Sequence, residues 1–231
     1  MTSTTTEPQQ LGSLLIALGE NVRDHIIRHR DLSRDHKVVA HEGGDSIFAI
    51  DRKVEPVIVH AIEKWPDELK PLIVIAEGFG QSGVVRFGQA DQPTRYRLLI
   101  DPIDGTRNIM YDKRAAWFLA TIAPDHGCDT RLSHSVASSM VELPTSKQTL
   151  ADSFVAIAGR PLQAIRSNLL TGEKFALRVG ASSEPTLLQG FGQVSNFFPG
   201  TKKLASDLME FIAERTIGKV IPGHASIFDD Q

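Results

Sequence analysis

The sequence predicts a layered α/β fold, and three features of the chain support this prediction. Two helical patterns come first, from Leu11 to about Arg30 and from Ile47 to Trp65. Short apolar runs, which are typical of buried strands, fill the middle of the chain. A last helical pattern begins at Thr201. Helices that precede and follow a central group of strands are expected to pack on the sheet as separate layers.

The size and composition of the chain indicate a globular protein. With 231 residues, of which 41% are hydrophobic, the chain is long enough for one large domain. We expect a disordered tail over residues 1–10 and a single domain over residues 11–231, with halves at 11–125 and 126–231. The tail is expected because its residues are mostly Thr, Ser, Gln and Pro, which have little to bury.

Charge and cysteine content exclude several kinds of partner and site. The formal net charge is −3, whereas a protein that coats nucleic acid is clearly basic. A single cysteine, Cys128, excludes an intrachain disulfide. No apolar run approaches the roughly 20 residues that cross a bilayer, and the first ten residues lack the basic and apolar regions of a secretory signal. We therefore expect a cytoplasmic protein that binds neither nucleic acid nor membranes.

The helices are predicted from apolar residues that recur every three or four positions. In the first helix these residues are Leu11, Leu14, Leu15, Leu18, Val22 and Ile26. In the second helix they are Ile47, Ile50, Val54, Ile58, Ile62 and Trp65. Pro56 lies inside the second pattern and lacks a backbone N–H, so a kink or a restart is expected there. The last helix, from Thr201 to about Thr216, has on one face Leu204, Leu208, Phe211 and Ile212.

The strands are predicted from apolar runs that lie between turn signals. Leu72–Ala76 and Val84–Phe87 are separated by a glycine-rich break and are expected to pair as a hairpin. Tyr96–Ile100 is a third strand, which leads straight into the sequence DPIDGT. Residues 159–200 show no clear pattern. Further strands are expected over residues 116–123, 135–143 and 154–158.

The sequence DPIDGT, from Asp101 to Thr106, is the strongest indication of a chemical site. The carboxylates of Asp101 and Asp104 lie three residues apart in a turn, and they repel each other unless a cation lies between them. Oxygen ligands favour a hard cation such as Mg²⁺ or Mn²⁺. Gly105 and Thr106 add backbone N–H groups and a hydroxyl, which are donors that a phosphate needs. The alternative interpretation is a surface turn, because Asp, Pro, Gly and Thr are common turn residues.

Two further acids are candidates for the same site. Glu77 follows the strand Leu72–Ala76, and it lies beside Asp101 if the two strands are neighbours that end at one edge of the sheet. Asp51 lies near the start of the second helix. Each acid also has a simpler interpretation: Glu77 as a solvated loop residue, and Asp51 as an acid that stabilises the helix dipole.

Together these features resemble the inositol monophosphatase family. The resemblance rests on DPIDGT after an apolar strand, on the Ala-Glu-Gly that ends the preceding strand, and on the Ile-Asp of the second helix. Their order and spacing match from about Leu11 to about Ala123. The family belongs to a larger group of metal-dependent, lithium-sensitive phosphatases that includes fructose-1,6-bisphosphatase. The resemblance implies a layered α-β-α-β-α sandwich with mixed sheets.

The resemblance also implies a role for each of these residues. Two or more Mg²⁺ ions would be bound by Glu77, Asp101, the Ile103 carbonyl and Asp104. Thr106 and Glu77 would orient the attacking water, and Asp51 would be an outer acid that helps to position water and metal. The backbone N–H groups of Gly105 and Thr106 would bind phosphate.

Two positions depart from the family pattern. Gly78 stands where the family has a second consecutive glutamate. The family also has a late Trp-Asp pair, whose acid binds the second metal, and its nearest counterpart here is Asp229 or Asp230. The chain ends at Gln231, ahead of the closing helix and strand of family members. The resemblance therefore implies a second half that is short at its C-terminus.

The function implied by the resemblance is Mg²⁺-dependent hydrolysis of an inositol phosphate or a similar small polyol or sugar phosphate. Within the same superfamily, a sugar bisphosphatase and a nucleotide 3′-phosphatase are alternatives. A non-catalytic relative that binds metal or phosphate is an alternative of another class. The expected partner is a small phosphorylated substrate, and a homodimer is left open beside a monomer.

Overall fold

The computed structural model divides the chain into two compact units. The units are Met1–Arg178 and Val179–Gln231, whereas the sequence predicts one domain over residues 11–231. The division follows the end of the large sheet at Ala176, and the next regular element in the described residues begins at Lys202. The described residues are 6–30, 37–42, 45–77, 79–80, 82–188, 190, 192–194, 200–219 and 221.

The first unit combines helices with two sheets. In chain order its elements are α1 (Glu7–His29), β1 (Val38–Glu42), β2 (Asp45–Phe48), α2 (Ala49–Glu63), β3 (Leu72–Ala76), β4 (Val84–Phe87), β5 (Tyr96–Asp104), α3 (Thr106–Met110), β6 (Ala116–Pro124), β7 (Ala137–Leu143), β8 (Leu150–Ile157), β9 (Gln163–Asn168) and β10 (Lys174–Ala176). β1 and β2 pair with each other, and the other strands form one mixed sheet in the order β10-β9-β8-β7-β6-β5-β3-β4. The mixed sheet and its helices confirm the predicted α/β class.

One parallel pair of strands determines which strand ends meet. β3 pairs parallel with β5, and Ala76 lies opposite Ile100. β4 pairs antiparallel with β3, which confirms the predicted hairpin. Because β3 and β5 point in the same direction, the residues that follow Ala76 and Ile100 lie at the same edge of the sheet.

α1 and α2 pack together against the large sheet. α1 contacts β6, β7 and β8, while α2 contacts α1 and β5. Gly19 of α1 approaches the sheet closely: a Cβ there would lie 2.6 Å from Val141 Cγ2 and 2.7 Å from Phe118 Cδ1. The packed interior has no room for that methyl group. Burial of apolar surface stabilises this layer, and the buried helix residues include Leu11, Leu15, Leu18, Val22 and Ile26 of α1 and Ile50, Val54, Ile58 and Ile62 of α2.

The start of α1 differs from its prediction. The helix begins at Glu7 rather than at Leu11, so residues 7–10 are helical and do not belong to a disordered tail. The Gln9 side-chain oxygen accepts hydrogen bonds from the N–H and the hydroxyl of Thr6, each at 2.9 Å. These bonds satisfy backbone and side-chain donors at the helix start, and they show why polar composition alone is a poor guide to where this helix begins.

Two further differences concern α2 and the end of the sheet. α2 runs unbroken through Pro56, so the expected restart does not occur. Pro56 removes one backbone hydrogen bond, and the complete burial of Val54 and Ile58 on either side helps to offset that loss. β9 and β10 lie within residues 159–200, where no strand was predicted. Few of their side chains are buried, so their sequences lack the apolar pattern from which a strand is predicted.

The second unit contains α4 (Lys202–Ile217), in agreement with the predicted helix from Thr201 to Thr216. Ala213 is buried. The apolar residues exposed on this helix include Leu204, Leu208 and Phe211. Asp229 and Asp230, the predicted late metal ligands, lie outside the described residues. None of the helices in the described part of the chain combines the length and apolar character needed to cross a bilayer.

Candidate functional site

The carboxyl ends of β3 and β5 bring two of the predicted acids to one place. Since Ala76 lies opposite Ile100, Glu77 and Asp101 follow at matching positions on neighbouring parallel strands. This register confirms that the two strands are adjacent. Glu77 is exposed and Asp101 is half-buried. Open α/β sheets bind their ligands at the carboxyl ends of parallel strands, so this edge is the candidate site.

Asp101 and Asp104 lie on either side of a bulge in β5. The three steps from Asp101 to Asp104 lie opposite only two steps of β6, from Leu119 to Trp117, so β5 contains one extra residue there. Pro102 lies within this irregular stretch, where a strand tolerates a residue that has no N–H. β5 therefore continues through both acids, beyond its predicted end.

Gly105 turns the chain from β5 into α3. Its φ of 91° and ψ of 28° lie in the left-handed region, which glycine adopts without steric cost. The Gly105 carbonyl accepts hydrogen bonds from the N–H groups of Asn108 at 2.9 Å and Ile109 at 3.3 Å. The first N–H groups of a helix have no acceptor within the helix, so the start of α3 provides backbone donors next to Asp104.

The hydroxyl of Thr106 connects this turn to α2. Thr106 Oγ1 lies 2.7 Å from the Ile103 carbonyl oxygen and 3.2 Å from Asp51 Oδ1, and its single proton can be donated to either acceptor. The other carboxylate oxygen of Asp51 accepts a hydrogen bond from the Phe48 N–H at 2.8 Å. Asp51 therefore caps the start of α2 and also contacts the candidate site, so the two interpretations of this acid are compatible.

The surroundings of Asp51 disfavour its charged form. Burial raises the pKa of Asp51 to about 6. The Phe48 N–H and the Thr106 hydroxyl oppose this rise because they stabilise the carboxylate, whereas the negative charges of Glu77 and Asp101 add to it. An ordinary helix-capping acid on the surface would not sense two other acids in this way.

Asp101 experiences a similar environment. Burial raises the pKa of Asp101 to about 6, and the negative charges of Asp104 and Glu77 contribute to the rise. The Ile103 N–H, which donates to Asp101 Oδ1 at 3.1 Å, opposes it. The acids at this edge are therefore close enough to repel one another, and a bound cation would relieve that repulsion.

The oxygen atoms of this site are suitable ligands for a hard cation, because Mg²⁺ prefers carboxylate and carbonyl oxygens. Mg²⁺ also keeps several waters and needs only one or two carboxylates together with substrate oxygens. Within the described residues, no group of three or more Asp, Glu, His or Cys side chains is arranged to hold a metal ion. The acids thus form an electrostatically coupled set rather than a closed cage, and their metal-binding roles remain a prediction.

Glu55 contacts a loop of the candidate site, and the sequence analysis did not identify it. The Gly80 N–H, in the loop that follows Glu77, donates a hydrogen bond to Glu55 Oε1 at 2.9 Å. The available signal is spacing, because Glu55 lies four residues after Asp51 and residues four apart share one face of a helix.

Two cavities lie away from these acids. One, of about 600 Å³, lies between α1 and α2 and is lined by residues that include Leu14, Pro56 and Trp65. The other, of about 630 Å³, lies beside Pro144 and Leu169. Neither is lined by the acids at the strand ends, so the candidate site is defined by its chemistry and not by the depth of a cavity.

Among known proteins, the chain is similar to solved structures only. No protein-family model and no curated protein matches the chain significantly. The holo form of fructose-1,6-bisphosphatase from Leishmania major matches with a TM-score of 0.60 and 12% identity, over 98% of this chain and 73% of that one. The extragenic suppressor protein suhB from Bartonella henselae matches with a TM-score of 0.58 and 17% identity, over 95% and 70%. CysQ from Bacteroides thetaiotaomicron, a bacterial member of the inositol monophosphatase family, matches with a TM-score of 0.52 and 15% identity, over 96% and 72%.

These matches extend far beyond the three motifs on which the sequence resemblance rests. They cover nearly the whole chain, including segments that carry no motif. At these low identities the agreement concerns the fold. The chain therefore has the fold of the inositol monophosphatase and fructose-1,6-bisphosphatase structures, as the resemblance of its motifs predicts.

Proposed function

We propose that the protein is a metal-dependent phosphate monoester hydrolase that acts on an inositol phosphate or a similar small polyol or sugar phosphate. One observation carries the proposal: the Thr106 hydroxyl lies between Asp51 and the Ile103 carbonyl, at the strand edge that also carries Glu77 and Asp101. This arrangement occurs in a chain whose structural neighbours include a fructose-1,6-bisphosphatase and a member of the inositol monophosphatase family.

The acids at the strand edge would bind the metal. Glu77, Asp101, Asp104 and the Ile103 carbonyl would hold two or more Mg²⁺ ions, and either Asp229 or Asp230 would complete the set. Bound Mg²⁺ supplies a water of lowered pKa and positive charge for the phosphate oxygens. The raised pKa values of Asp51 and Asp101 are consistent with a set of carboxylates that a cation stabilises.

The side chains of this site would orient the attacking water. Thr106 would accept a hydrogen bond from that water at its hydroxyl oxygen, because its single proton is donated to Asp51 or to the Ile103 carbonyl. Glu77 would accept a proton or a hydrogen bond from the same water. The backbone donors at Gly105 and Thr106 would bind the phosphate oxygens, because N–H groups at a helix start favour anions.

The proposal is tested by measuring phosphate release from a panel of esters that includes an inositol monophosphate, a sugar bisphosphate and a nucleotide 3′-phosphate. We expect release that requires Mg²⁺ and is inhibited by Li⁺. Asp101→Asn should reduce it by about 100-fold or more, since even residues that only orient metal ligands typically contribute about 10–100-fold. Asp67→Asn is the matched control, because the Asp67 side chain is fully exposed at the opposite end of β3.

The ester that is hydrolysed fastest separates the proposed substrate from the sugar bisphosphate and nucleotide alternatives. Equal release in excess EDTA would refute the metal mechanism. A second candidate function, a relative that binds metal or phosphate without turnover, is favoured by Gly78 in place of the family's second glutamate. Calorimetry that shows Mg²⁺ or phosphate binding, together with no release from any ester, would support that candidate.

A further inference from the structure

Two carboxylates of α2 contact the two loops that carry the candidate site. Asp51 and Glu55 are four residues apart, so they lie on the same face of the helix. Asp51 Oδ1 lies 3.2 Å from the Thr106 hydroxyl, in the turn after β5. Glu55 Oε1 accepts a hydrogen bond from the Gly80 N–H at 2.9 Å, in the loop after β3. The start of α2 is thus bonded to both loops.

The loop that follows β3 is held in place at Phe79. The Phe79 side chain is almost completely buried, and its carbonyl accepts a hydrogen bond from the Gly83 N–H at 2.8 Å. Gly80 then has a φ of 55°, a left-handed conformation that redirects the chain. The bond from Gly80 to Glu55 fixes this turn to α2, and the exposed Glu77 lies only three residues before Gly80.

The Glu55 carboxylate is held in place for this contact. Its other oxygen lies 3.6 Å from Arg52 Nη1, and about a quarter of its side chain is exposed. A hydrogen bond from a backbone N–H to a charged carboxylate is stronger than one between neutral groups. Glu55 is therefore an effective tether between the helix and the loop.

We propose that Glu55 is a positioning residue: by holding Gly80 against α2, it sets the place of Glu77 relative to Asp51 and Asp101. The inference rests on the proposed function, in which Glu77 binds metal. Residues that orient metal ligands from behind typically change metal affinity by about 10–100-fold when they are replaced. Removal of the tether should therefore weaken Mg²⁺ binding although Glu55 is not itself a ligand.

The test compares Glu55→Ala and Glu55→Gln with Glu63→Ala, a control at an exposed acid of the same helix. Hydrogen exchange of the Gly80 amide, measured by NMR in the metal-free protein, reports on the tether. Calorimetric titration with Mg²⁺ reports on the metal site. Glu55→Ala should accelerate the exchange and weaken Mg²⁺ binding by about 10-fold or more. Glu55→Gln should rescue both, because its amide oxygen still accepts the bond, and the control should change neither.

Each outcome decides a separate point. Unchanged exchange at Gly80 in Glu55→Ala would overturn the inference, and so would faster exchange with unchanged Mg²⁺ affinity. Failure of Glu55→Gln to restore Mg²⁺ affinity would also overturn it. If the wild type binds no Mg²⁺, the proposed function fails instead, and exchange at Gly80 still decides whether Glu55 holds the loop.

Discussion

The repulsion among the acids can be measured as stability by replacing Asp51 with asparagine in the metal-free protein. Burial and the charges of Glu77 and Asp101 disfavour the Asp51 carboxylate. Asparagine keeps a side-chain oxygen that can accept the Phe48 N–H, and it carries no charge. We therefore expect Asp51→Asn to be more stable than the wild type at neutral and alkaline pH when no metal is bound.

The magnitude follows from the pKa of Asp51, which is about 6 in the folded protein against an ordinary value of 3.8. The folded state resists ionisation, so the wild type loses stability as the pH rises from about 4 to about 6, and the loss is complete above that range. A pKa difference of about 2 corresponds to about 3 kcal/mol. Solvent screens a half-buried group, so that figure is an upper limit.

Urea unfolding in EDTA measures this difference. At about pH 4 the two proteins should have similar free energies of unfolding. At about pH 8 the free energy of unfolding of the variant should be higher by about 1–3 kcal/mol. Mg²⁺ should reduce that advantage, since a bound cation offsets the repulsion among the acids. A wild type that is as stable as the variant at the higher pH, or a difference that is the same at both pH values, would refute the reasoning.

Two further predictions concern the hydroxyl of the site and an ion pair at the other end of β5. Thr106→Val should lower phosphate release by about 100-fold, in the range of groups that assist proton transfer, while Thr106→Ser keeps the hydroxyl and most of the rate. The second prediction concerns Asp125: burial raises its pKa, but hydrogen bonds from Thr94, Arg97 and the Gly127 N–H outweigh this effect and lower the pKa to about 2. Asp125 therefore stabilises the fold above about pH 4 and loses this effect as the pH falls towards 2. The free energy of unfolding of Asp125→Asn should therefore fall less steeply than that of the wild type between about pH 4 and pH 2. The same pH dependence in both proteins would contradict this role of Asp125.

The parts of the fold that were predictable from the sequence are those with a local cause. β3 has its predicted bounds because a buried strand needs a nearly continuous run of apolar side chains. β4 is mostly exposed, and its bounds were predictable because it follows a glycine-rich break as the second strand of a hairpin. The turn at Gly105 was predictable because glycine adopts left-handed backbone angles, although the turn was predicted to begin at Asp101 and β5 in fact continues to Asp104. By contrast, β9 and β10 bury few side chains, and the start of α1 depends on capping bonds within a polar segment.

By itself, the sequence determined which acids are available and that DPIDGT follows an apolar strand. The tertiary structure alone decided which of these groups meet. Parallel pairing of β3 with β5 sets Glu77 beside Asp101, and packing of α2 brings Asp51 to Thr106 across 55 residues of chain. The physical reason is that strand order, helix packing and burial are set jointly by many distant residues. Burial in turn raises the pKa of an acid, so the chemistry of these carboxylates depends on their surroundings as much as on their identity.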